Sequence, residues 1–464
     1  MTTKDRITGR RVGVIGMARS GLAAARLVKR LGGEPFVSDV KNESQLPAEL
    51  AELKALEIEC ESGGHTERVL KSDFIVLSPG VPKTIPIMEK IHDAGIPIFS
   101  EIELASWFCR GKIVAITGSN GKTTTTSLTG AILTAAGINN FVCGNIGAPF
   151  ADAVANITAD DYAVVEVSNF QLETIEEFKP NIAMILNLTP DHLDLYESFD
   201  DYKQAKYRIT ENQNSSDYLI LNADDAVIDK NNISAEARKT HFSIAHSLAN
   251  GVYVEGKRLV GKINDEQYDI IDIDKIRIPG PHNLQNAAAA ALASLIIGIK
   301  PKDIASALQS FPGVPHRLED AGVVAGIKFI NDSKATNVDS VCYALRSIDT
   351  PICLIAGGRD KGGSYRPIIE YGRGKIKEII LIGEAREKMF EALGKTFPVQ
   401  FAESMEEAVK KAFDTASPGD TVLLSPACSS FDMFANFERR GDAFKNSIST
   451  LKNGQESARN CGTK

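Results

Sequence analysis

Short runs of β-branched and other apolar residues alternate along the chain with longer segments of helical periodicity. This alternation is typical of parallel sheets that carry helices on both faces. In the first hundred residues it predicts strands at 11–16, 35–39, 74–77 and 97–99, with a helix over 22–31. We therefore expect an α/β fold that opens with a small Rossmann-like domain.

The middle of the chain shows a second alternation of the same kind. Its strands are predicted at 112–117, 141–143, 162–167, 182–186 and 218–221. Between residues 242 and 278, short strands separated by Gly, Asn and Asp turns predict an antiparallel appendage. An apolar helix follows from about residue 284 to residue 297.

A break at residues 311–315 separates this region from a third one, because two prolines and a glycine within five residues cannot continue a helix. The third set of strands is predicted at 327–330, 352–355, 379–382, 398–401 and 421–424. We expect three domains, over residues 1–100, 101–312 and 313–464. Each should contain a mostly parallel sheet flanked by helices, and the third should again be Rossmann-like.

Composition restricts the class of protein and its partners. With 43% hydrophobic and 24% charged residues, the 464-residue chain is too apolar to be intrinsically disordered. The net charge of -8 removes the broad electrostatic attraction on which nonspecific nucleic-acid binding relies, so no nucleic-acid partner is expected. No run reaches the roughly 18 apolar residues of a membrane span, and no signal-peptide core is present, so we expect a cytoplasmic protein. Seven scattered cysteines without a C-x-x-C pair indicate reduced thiols.

An apolar strand that runs into a glycine-rich turn is the strongest chemical signal. The turn consists of Gly118, Ser119, Asn120, Gly121, Lys122, Thr123 and Thr124, and a helix is predicted after it. In such a loop, backbone N–H groups converge on phosphate oxygens, the lysine reaches the β- and γ-phosphates, and the hydroxyl after it ligates Mg²⁺. The loop is a shortened variant, because Ile116 stands where the standard motif has its first glycine. We expect a P-loop-type ATPase domain; the alternative is an ordinary strand-to-helix turn with an exposed lysine.

The first domain contains a weaker glycine motif, Gly16-Met-Ala-Arg-Ser-Gly21, in which Ala18 replaces the middle glycine. That glycine permits the close approach of a dinucleotide's pyrophosphate, so the standard NAD pose is disfavoured. Asp39 ends the next strand and Gly80 lies at another strand tip. The motif is consistent with a nucleotide diphosphate bound in a different way, or with a purely structural turn.

Three polar residues follow strands of the middle domain, at the edge where open α/β sheets bind ligands: Asn145, Glu166 and His192. A carboxylate inside a β-branched run is costly unless it is paired or metal-bound, so Glu166 is predicted to share Mg²⁺ with Thr123. His192 is either a ligand or an ordinary loop or core histidine. Lys206, in a predicted helix, reads by itself as a solvated surface lysine.

Several motifs, taken in their order and spacing along the whole chain, resemble the Mur ligase family, which builds the peptide stem of bacterial cell-wall precursors. They are residues 118–124, the Glu166 strand, 187–192, 280–286, 315–317 and 331–337. Within the family, the segments at 356–362 and 424–441 resemble those of the D-glutamate-adding members. The fold implied is one UDP-substrate domain, one ATP domain and one amino-acid domain.

The resemblance implies an ATP-dependent amide ligase whose substrates are UDP-N-acetylmuramoyl-L-alanine and D-glutamate. The precursor's carboxylate attacks the γ-phosphate of ATP to give an acyl phosphate and ADP, and the amine of D-glutamate then displaces phosphate. It also implies two Mg²⁺ sites, a carbamylated Lys206, a monomeric state, and closure of the second and third domains on ATP at a hinge over residues 311–315.

The resemblance further implies roles for single residues. The catalytic residues are Lys122, His192, Lys206 and Lys334. Beside the glycine-rich loop, the ATP contacts are Asn283 for adenine, Asp332 for ribose, and Arg317 and Lys334 for phosphates; the plainer alternative for Asp332 is a turn residue after its strand. The implied metal ligands are Thr123 and Glu166 at one site, and His192 and carbamylated Lys206 at the other. The precursor contacts are Arg19, Ser20, Asp39, Gly80, Asn145 and His192, and the D-glutamate contacts are Thr336, Lys361, Ser430 and Phe437.

Three alternatives remain open at this point. A plain P-loop ATPase or kinase would need the loop but not the motifs of the third domain. An NAD-binding or non-catalytic module could be built on the first domain, although the missing glycine at position 18 argues against it. Folylpolyglutamate synthetase shares the central site, but that resemblance does not extend over an N-terminal domain of this kind.

Overall fold

The computed structural model describes residues 3–191, 195–228, 233, 235–263, 266–360 and 362–461, with side chains described from residue 5 to residue 453. The chain divides into two compact units. The first comprises Met1–Leu188, Phe199–Lys275 and Gln285–Gln309, and the second comprises Thr189–Ser198, Ile276–Leu284 and Ser310–Lys464.

The first sheet is parallel throughout, with the strand order β3-β2-β1-β4-β5. Its elements are β1 Arg11–Ile15, α1 Arg19–Arg30, β2 Glu34–Ser38, α2 Pro47–Ala55, β3 Glu59–Glu61, β4 Phe74–Leu77, α3 Pro86–Asp93 and β5 Ile98–Ser100. The four strands predicted from apolar runs are confirmed. The strand β3 escaped prediction because its sequence, Glu-Cys-Glu, contains no apolar run.

The second sheet lies in the same compact unit and has the order β14-β13-β12-β11-β10-β9-β6-β8-β7. Its strands are β6 Lys112–Thr117, β7 Asn140–Gly144, β8 Tyr162–Glu166, β9 Ile182–Ile185, β10 Tyr218–Asn222, β11 Arg238–Ser243, β12 Gly251–Glu255, β13 Arg258–Ile263 and β14 Glu266–Asp272. The prediction of an antiparallel appendage between residues 242 and 278 was only partly correct. The strands β13 and β14 are antiparallel, but β12 pairs with β11 in parallel, so all of them extend the one sheet.

The helices of this region include the predicted apolar one, which begins three residues earlier than expected. They are α4 Glu101–Ser106, α5 Lys122–Ala135, α6 Phe150–Ala153, α7 Asn169–Leu172, α8 Phe199–Tyr207, α9 Pro281–Ile297 and α10 Pro301–Ser310. Residues 287–293 of α9 are buried on every side, which explains why the segment lacks polar periodicity. No helix within the described ranges is long and apolar enough to cross a bilayer.

The third sheet, in the second unit, has the order β15-β16-β20-β17-β18-β19. Its elements are β15 Glu319–Val324, β16 Ile327–Asn331, α11 Val338–Ser347, β17 Ile352–Gly357, α12 Arg366–Gly372, β18 Ile376–Ile382, α13 Arg386–Leu393, β19 Val399–Phe401, α14 Met405–Thr415, β20 Thr421–Leu424 and α15 Phe437–Cys461. All pairings are parallel except that of the edge strand β15. The α/β fold with mostly parallel sheets is thus confirmed, while the boundaries at residues 100 and 312 stay predictions.

Helix α4 connects the first two sheets through the buried carboxylate of Glu103. Its oxygens accept hydrogen bonds from the backbone N–H groups of Glu176, Glu177 and Phe178, at 3.0, 2.8 and 2.8 Å, and from Trp107 Nε1 at 2.7 Å. Four donors to one ionised group offset the cost of removing it from water. This carboxylate therefore ties α4 to the loop before β9.

We expect Glu103→Ala to lower the free energy of unfolding by about 3 kcal/mol, because three backbone N–H groups and the Trp107 indole would lose their acceptor. Glu103→Gln should lose less, since one acceptor oxygen remains. Urea titration followed by the fluorescence of Trp107, the chain's one tryptophan, measures the loss. The control is Glu177→Ala, which removes a half-exposed ion pair with Arg6 and should cost below about 1 kcal/mol. Equal losses in Glu103→Ala and the control would contradict the connecting role.

Candidate active site

The glycine-rich loop follows β6 and leads into α5, as the sequence predicts. Gly121 stands at the N-cap of α5 with a φ of +84°, in the left-handed region that glycine enters without strain. A Cβ at this position would lie 2.3 Å from Asn286 Oδ1 on α9. The loop is therefore closed in on one side by α9, and only glycine fits there.

Asn187, two residues beyond the end of β9, holds the other side of the loop. Its backbone oxygen accepts a hydrogen bond from Ser119 N at 2.9 Å, and its Oδ1 accepts one from Asn120 N at 2.7 Å. In return, Asn187 Nδ2 donates to Asn120 O at 3.0 Å. This reciprocal pair fixes the turn to the neighbouring strand, a role that the quoted motif contained but that sequence reasoning did not assign.

Two lysines meet at the carbonyl of Gly118. Lys122 Nζ donates to this carbonyl at 2.7 Å and to that of Ser119 at 2.9 Å, so the side chain lies across its own loop. Lys206 Nζ donates to the same Gly118 oxygen at 3.1 Å and stands 4.7 Å from the centre of the Tyr202 ring. Lys122 thus brings an ammonium group to a phosphate-type loop in a protein whose net charge is negative.

The interpretation of Lys206 as a solvated surface lysine was wrong. The residue is 1% exposed and lies on α8, and Tyr202 on the same helix places its hydroxyl 2.9 Å from Ser119 Oγ. Nothing in the helical pattern indicated burial, because the packing of α8 against the loop is a tertiary contact. Tyr202 was likewise missed, and its position in the sequence offers no signal for it.

Two further predicted residues lie together at the edge beside the loop. Glu166 ends β8, which pairs with β6, and the residue is 1% exposed. Asn145 Nδ2 donates to Glu166 Oε1 at 2.9 Å, and Asn145 N donates to the Glu166 backbone oxygen at 2.9 Å. Thr123 and Thr124 are buried in the first turn of α5. His192 lies outside the described residues.

Hard oxygen donors are therefore available for a cation at this edge. A buried carboxylate and a threonine hydroxyl after the lysine are ligands that suit Mg²⁺ together with nucleotide phosphates and water. Among the described residues, no group of three or more His, Cys, Asp or Glu side chains could hold a metal ion by itself. The donor set thus fits a Mg²⁺ that depends on the nucleotide for part of its coordination.

The glycine motif of the first sheet is braced by Asp39. Asp39 Oδ2 accepts a hydrogen bond from Met17 N at 2.7 Å, and Oδ1 accepts one from Lys41 N at 2.9 Å. A Cβ on Gly21 would lie 1.9 Å from the Gly16 carbonyl oxygen, so α1 packs on the turn only with glycine there. Both carboxylate oxygens thus already organise the turn, and each retains a further lone pair for a ligand.

The remaining predicted residues of the first unit lie at the same carboxyl edge of the first sheet. Arg19 and Gly80 are exposed and Ser20 is half-buried. Arg19 Nη1 also donates to the Gly147 carbonyl at 3.2 Å, in the loop that carries Asn145.

In the second unit, Asp332 follows β16 and is 1% exposed. Its Oδ2 accepts a hydrogen bond from Ser425 Oγ at 2.9 Å, and its Oδ1 accepts one from Leu318 N at 3.2 Å. Burial raises the pKa of Asp332 to about 6, although the Arg317 guanidinium 4.0 Å away lowers it. These contacts make Asp332 a buried acid at a strand end rather than an exposed turn residue.

Other predicted residues of this unit lie in the loops that follow β16 and β20 or in the first turn of a helix. Lys334 Nζ stands 5.3 Å from the centre of the Phe437 ring. Ser430 is 2% exposed and Thr336 is half-buried. Asn283 is buried in the first turn of α9, where its Nδ2 donates to the Pro279 carbonyl at 2.7 Å. Lys361 lies outside the described residues.

Family models cover most of the chain. The MurD-like N-terminal domain, the Mur ligase middle domain and the Mur ligase glutamate ligase domain match residues 10–100, 116–294 and 316–428. A UDP-N-acetylmuramoylalanine--D-glutamate ligase from Chloroherpeton thalassium is 44% identical, over 97% of this chain and 100% of the relative. This chain belongs to the Mur ligase family. The ligase of the same name from Alkaliphilus metalliredigens is 43% identical, over 96% of this chain and 99% of its own.

Solved Mur ligase structures share the fold at low sequence identity. The UDP-N-acetylmuramate-alanine ligase MurC from Thermotoga maritima has a TM-score of 0.63 at 18% identity and covers 96% of this chain and 100% of its own. The MurF ligase from Thermotoga maritima, solved with ADP, has a TM-score of 0.59 at 16% identity and covers 90% and 95%. At these identities the likeness concerns the fold alone.

We expect Gly121→Ala to weaken nucleotide binding by this Mur ligase at least tenfold. The added Cβ would collide with Asn286 Oδ1, and the residue would also be strained at its positive φ. Titration with a fluorescent ATP analogue measures the change. Gly137→Ala is the matched control, because Gly137 has a φ of +73° but open space around its Cβ position. It should lose stability while its nucleotide affinity stays within twofold of the wild type, and an equal loss of affinity would argue against the collision.

Proposed function

We propose that this chain is an ATP-dependent ligase that joins D-glutamate to UDP-N-acetylmuramoyl-L-alanine, with release of ADP and phosphate, in the synthesis of peptidoglycan precursors. The observation that carries the proposal is full-length similarity, at 42–44% identity, to ligases named for that reaction. A plain ATPase would not require the third sheet and its strand-end motifs. The first sheet, with alanine in place of the middle glycine, disfavours the NAD-binding alternative.

The reaction needs an activation step because a carboxylate is a poor acyl donor. One oxygen of the precursor's carboxylate attacks the γ-phosphorus of ATP, and the bond from that phosphorus to the bridging oxygen breaks, which yields an acyl phosphate and ADP. The amine nitrogen of D-glutamate then attacks the acyl carbon, phosphate leaves, and the nitrogen loses a proton. Two anions must approach each other in the first step, so cations have to neutralise their repulsion.

We assign that neutralisation first to Lys122. Its ammonium donates to the Gly118 and Ser119 carbonyls, within reach of any phosphate cradled by the backbone of residues 118–124. Exchange of these two neutral acceptors for phosphate oxygens would turn the lysine toward the β- and γ-phosphates. Lys334, in the second unit, is assigned to the phosphates as well, together with Arg317.

We assign a Mg²⁺ to Thr123 and Glu166, whose oxygen donors suit this ion. When bound, the ion supplies positive charge to the β- and γ-phosphates. A second Mg²⁺ is proposed for His192 and a carbamylated Lys206. Carbamylation requires that the neutral amine attack the carbon of CO₂ and release a proton, and a buried lysine loses less solvation on giving up its charge than an exposed one.

The remaining roles are proposed residue by residue. Asn283 would contact adenine, and Asp332, a buried acceptor at a strand end, would bind the ribose hydroxyls. Asn145 and His192 would face the muramoyl part of the precursor, and its uridine diphosphate would lie against Arg19, Ser20, Asp39 and Gly80. D-glutamate would be held by Thr336, Lys361, Ser430 and Phe437. A monomeric state and a cytoplasmic location also remain predictions.

The function is tested by coupled measurement of ADP release from purified protein, ATP, Mg²⁺ and UDP-N-acetylmuramoyl-L-alanine. We expect release that depends on D-glutamate and exceeds, by at least a hundredfold, that with L-glutamate or diaminopimelate. Equal release with all three amino acids would contradict the specificity. Release that needs no amino acid would instead favour a plain ATPase.

The carbamate is tested by Lys206→Ala, which should reduce turnover at least a thousandfold because the proposed anionic ligand is lost. Added short carboxylic acids should restore part of it, since they supply a carboxylate in the vacated space. Lys203→Ala is the control: Lys203 lies on the same helix, is partly buried and pairs with the exposed Asp200, so its loss should leave turnover within threefold. Full activity of Lys206→Ala would remove the carbamate role.

A further inference from the structure

The second unit buries an arginine that forms no ion pair with any carboxylate in the part of the chain that the structure describes. This residue, Arg440 on α15, is 1% exposed. Nη1 and Nη2 each donate to the Cys428 carbonyl at 3.1 Å, and Nη1 donates to the Ser429 carbonyl at 3.2 Å. On the other side, Nη2 donates to the Ser333 carbonyl at 2.8 Å and Nε donates to Ser333 Oγ at 3.1 Å.

A buried guanidinium without an ion-pair partner is costly, and burial lowers the pKa of Arg440 to about 10, although the charge of Asp432 acts to raise it. The side chain still carries its charge at neutral pH, so its solvation must be replaced by the main-chain oxygens that it contacts. An apolar residue of similar size would avoid that cost. The contacts therefore indicate that Arg440 holds several carbonyl groups at fixed positions, which requires a planar group with several hydrogen-bond donors.

The carbonyls that Arg440 contacts lie in two loops, which follow the neighbouring strands β16 and β20. The ribose loop, residues 331–336, carries Asp332 and Lys334, and the serine loop, residues 425–430, ends at Ser430. Arg440 is bonded to both, through Ser333 in the first loop and through Cys428 and Ser429 in the second.

Two other contacts join the same loops and show that their spacing is tightly specified. Asp332 Oδ2 accepts a hydrogen bond from Ser425 Oγ at 2.9 Å, and Ala427 N donates to the Ala335 carbonyl at 2.9 Å. Ala427 has a φ of +61°, a strained value for alanine that its surroundings must maintain.

We propose that Arg440 is a positioning residue that sets the spacing between the ribose loop and the serine loop, and so places D-glutamate relative to the nucleotide phosphates. The inference rests on the proposed function. Ser333 also links the ribose loop to Phe437, which is assigned to D-glutamate, because Ser333 Oγ donates to the Phe437 carbonyl at 2.8 Å. A lysine at position 440 would keep the charge, but its single ammonium could not span carbonyls on both loops.

The test compares Arg440→Lys with the wild type in steady-state kinetics. We expect the KM for D-glutamate to rise at least tenfold and the preference for D- over L-glutamate to fall. The KM for UDP-N-acetylmuramoyl-L-alanine should stay within twofold, because its nucleotide is assigned to the first sheet. Arg439→Lys is the matched control, since Arg439 is the exposed neighbour on the same helix and its replacement should change neither constant. Ser333→Ala removes one bond to Arg440 and the bond to the Phe437 carbonyl, and it should raise the KM for D-glutamate about threefold. This variant provides the test if Arg440→Lys does not fold.

Hydrogen exchange provides a readout that does not depend on activity. Exchange at residues 331–336 and 425–430 should accelerate at least tenfold in Arg440→Lys and stay unchanged in Arg439→Lys. A lower kcat with both KM values and both exchange rates unchanged would mean that Arg440 is merely structural, and the proposal would be overturned. If the wild type releases no ADP in response to D-glutamate, the proposed function fails, and the exchange rates alone decide whether Arg440 spaces the loops.

Discussion

The site depends on one constraint: a loop that is to hold phosphate must stay rigid without using all of its backbone N–H groups for its own support. A turn without its own hydrogen bonds would be flexible, and a turn with all of them satisfied internally could bind nothing. The fold resolves this by supporting the loop from outside. Asn187, just beyond β9, accepts hydrogen bonds from the N–H groups of Ser119 and Asn120 only, and Asn286 on α9 closes against Gly121. The loop is thus preorganised by two asparagines from elements distant in sequence.

Several buried charged side chains at strand and helix ends are likewise held by hydrogen bonds to other parts of the chain. Glu103, Glu166, Lys206, Asp332 and Arg440 are all buried, and among the bonds of each is one to a neutral donor or acceptor. In a low dielectric such bonds hold charges firmly in direction, but a misplaced partner is expensive. Buried charge therefore makes the strand ends rigid where ligands are expected, and it makes them sensitive to small changes.

Glu101 illustrates the cost of this strategy. The residue is fully buried at the start of α4, and its Oε1 accepts a hydrogen bond from Ala151 N at 2.5 Å. Burial raises the pKa of Glu101 to about 7, with Asp152 nearby adding to the rise. An acid whose pKa is raised on folding destabilises the fold once the pH exceeds the pKa near 4 that the acid has in the unfolded chain. The loss of folding stability is complete above about pH 7. The junction between the first two sheets is thus more stable at mildly acid pH as far as this group is concerned.

The sequence by itself determined the elements and the chemistry of the loop, because strand periodicity and the glycine turn are local properties of the chain. Apolar runs located the central strands, whereas the polar edge strands β3 and β15 were invisible, since pairing at an edge requires no apolar run. Only the tertiary structure decided that Lys206 is buried beside Gly118, and that Arg440 joins two loops about a hundred residues apart. Burial and partnership of a charged side chain depend on what the rest of the chain packs against it, and a one-dimensional pattern carries no record of those neighbours.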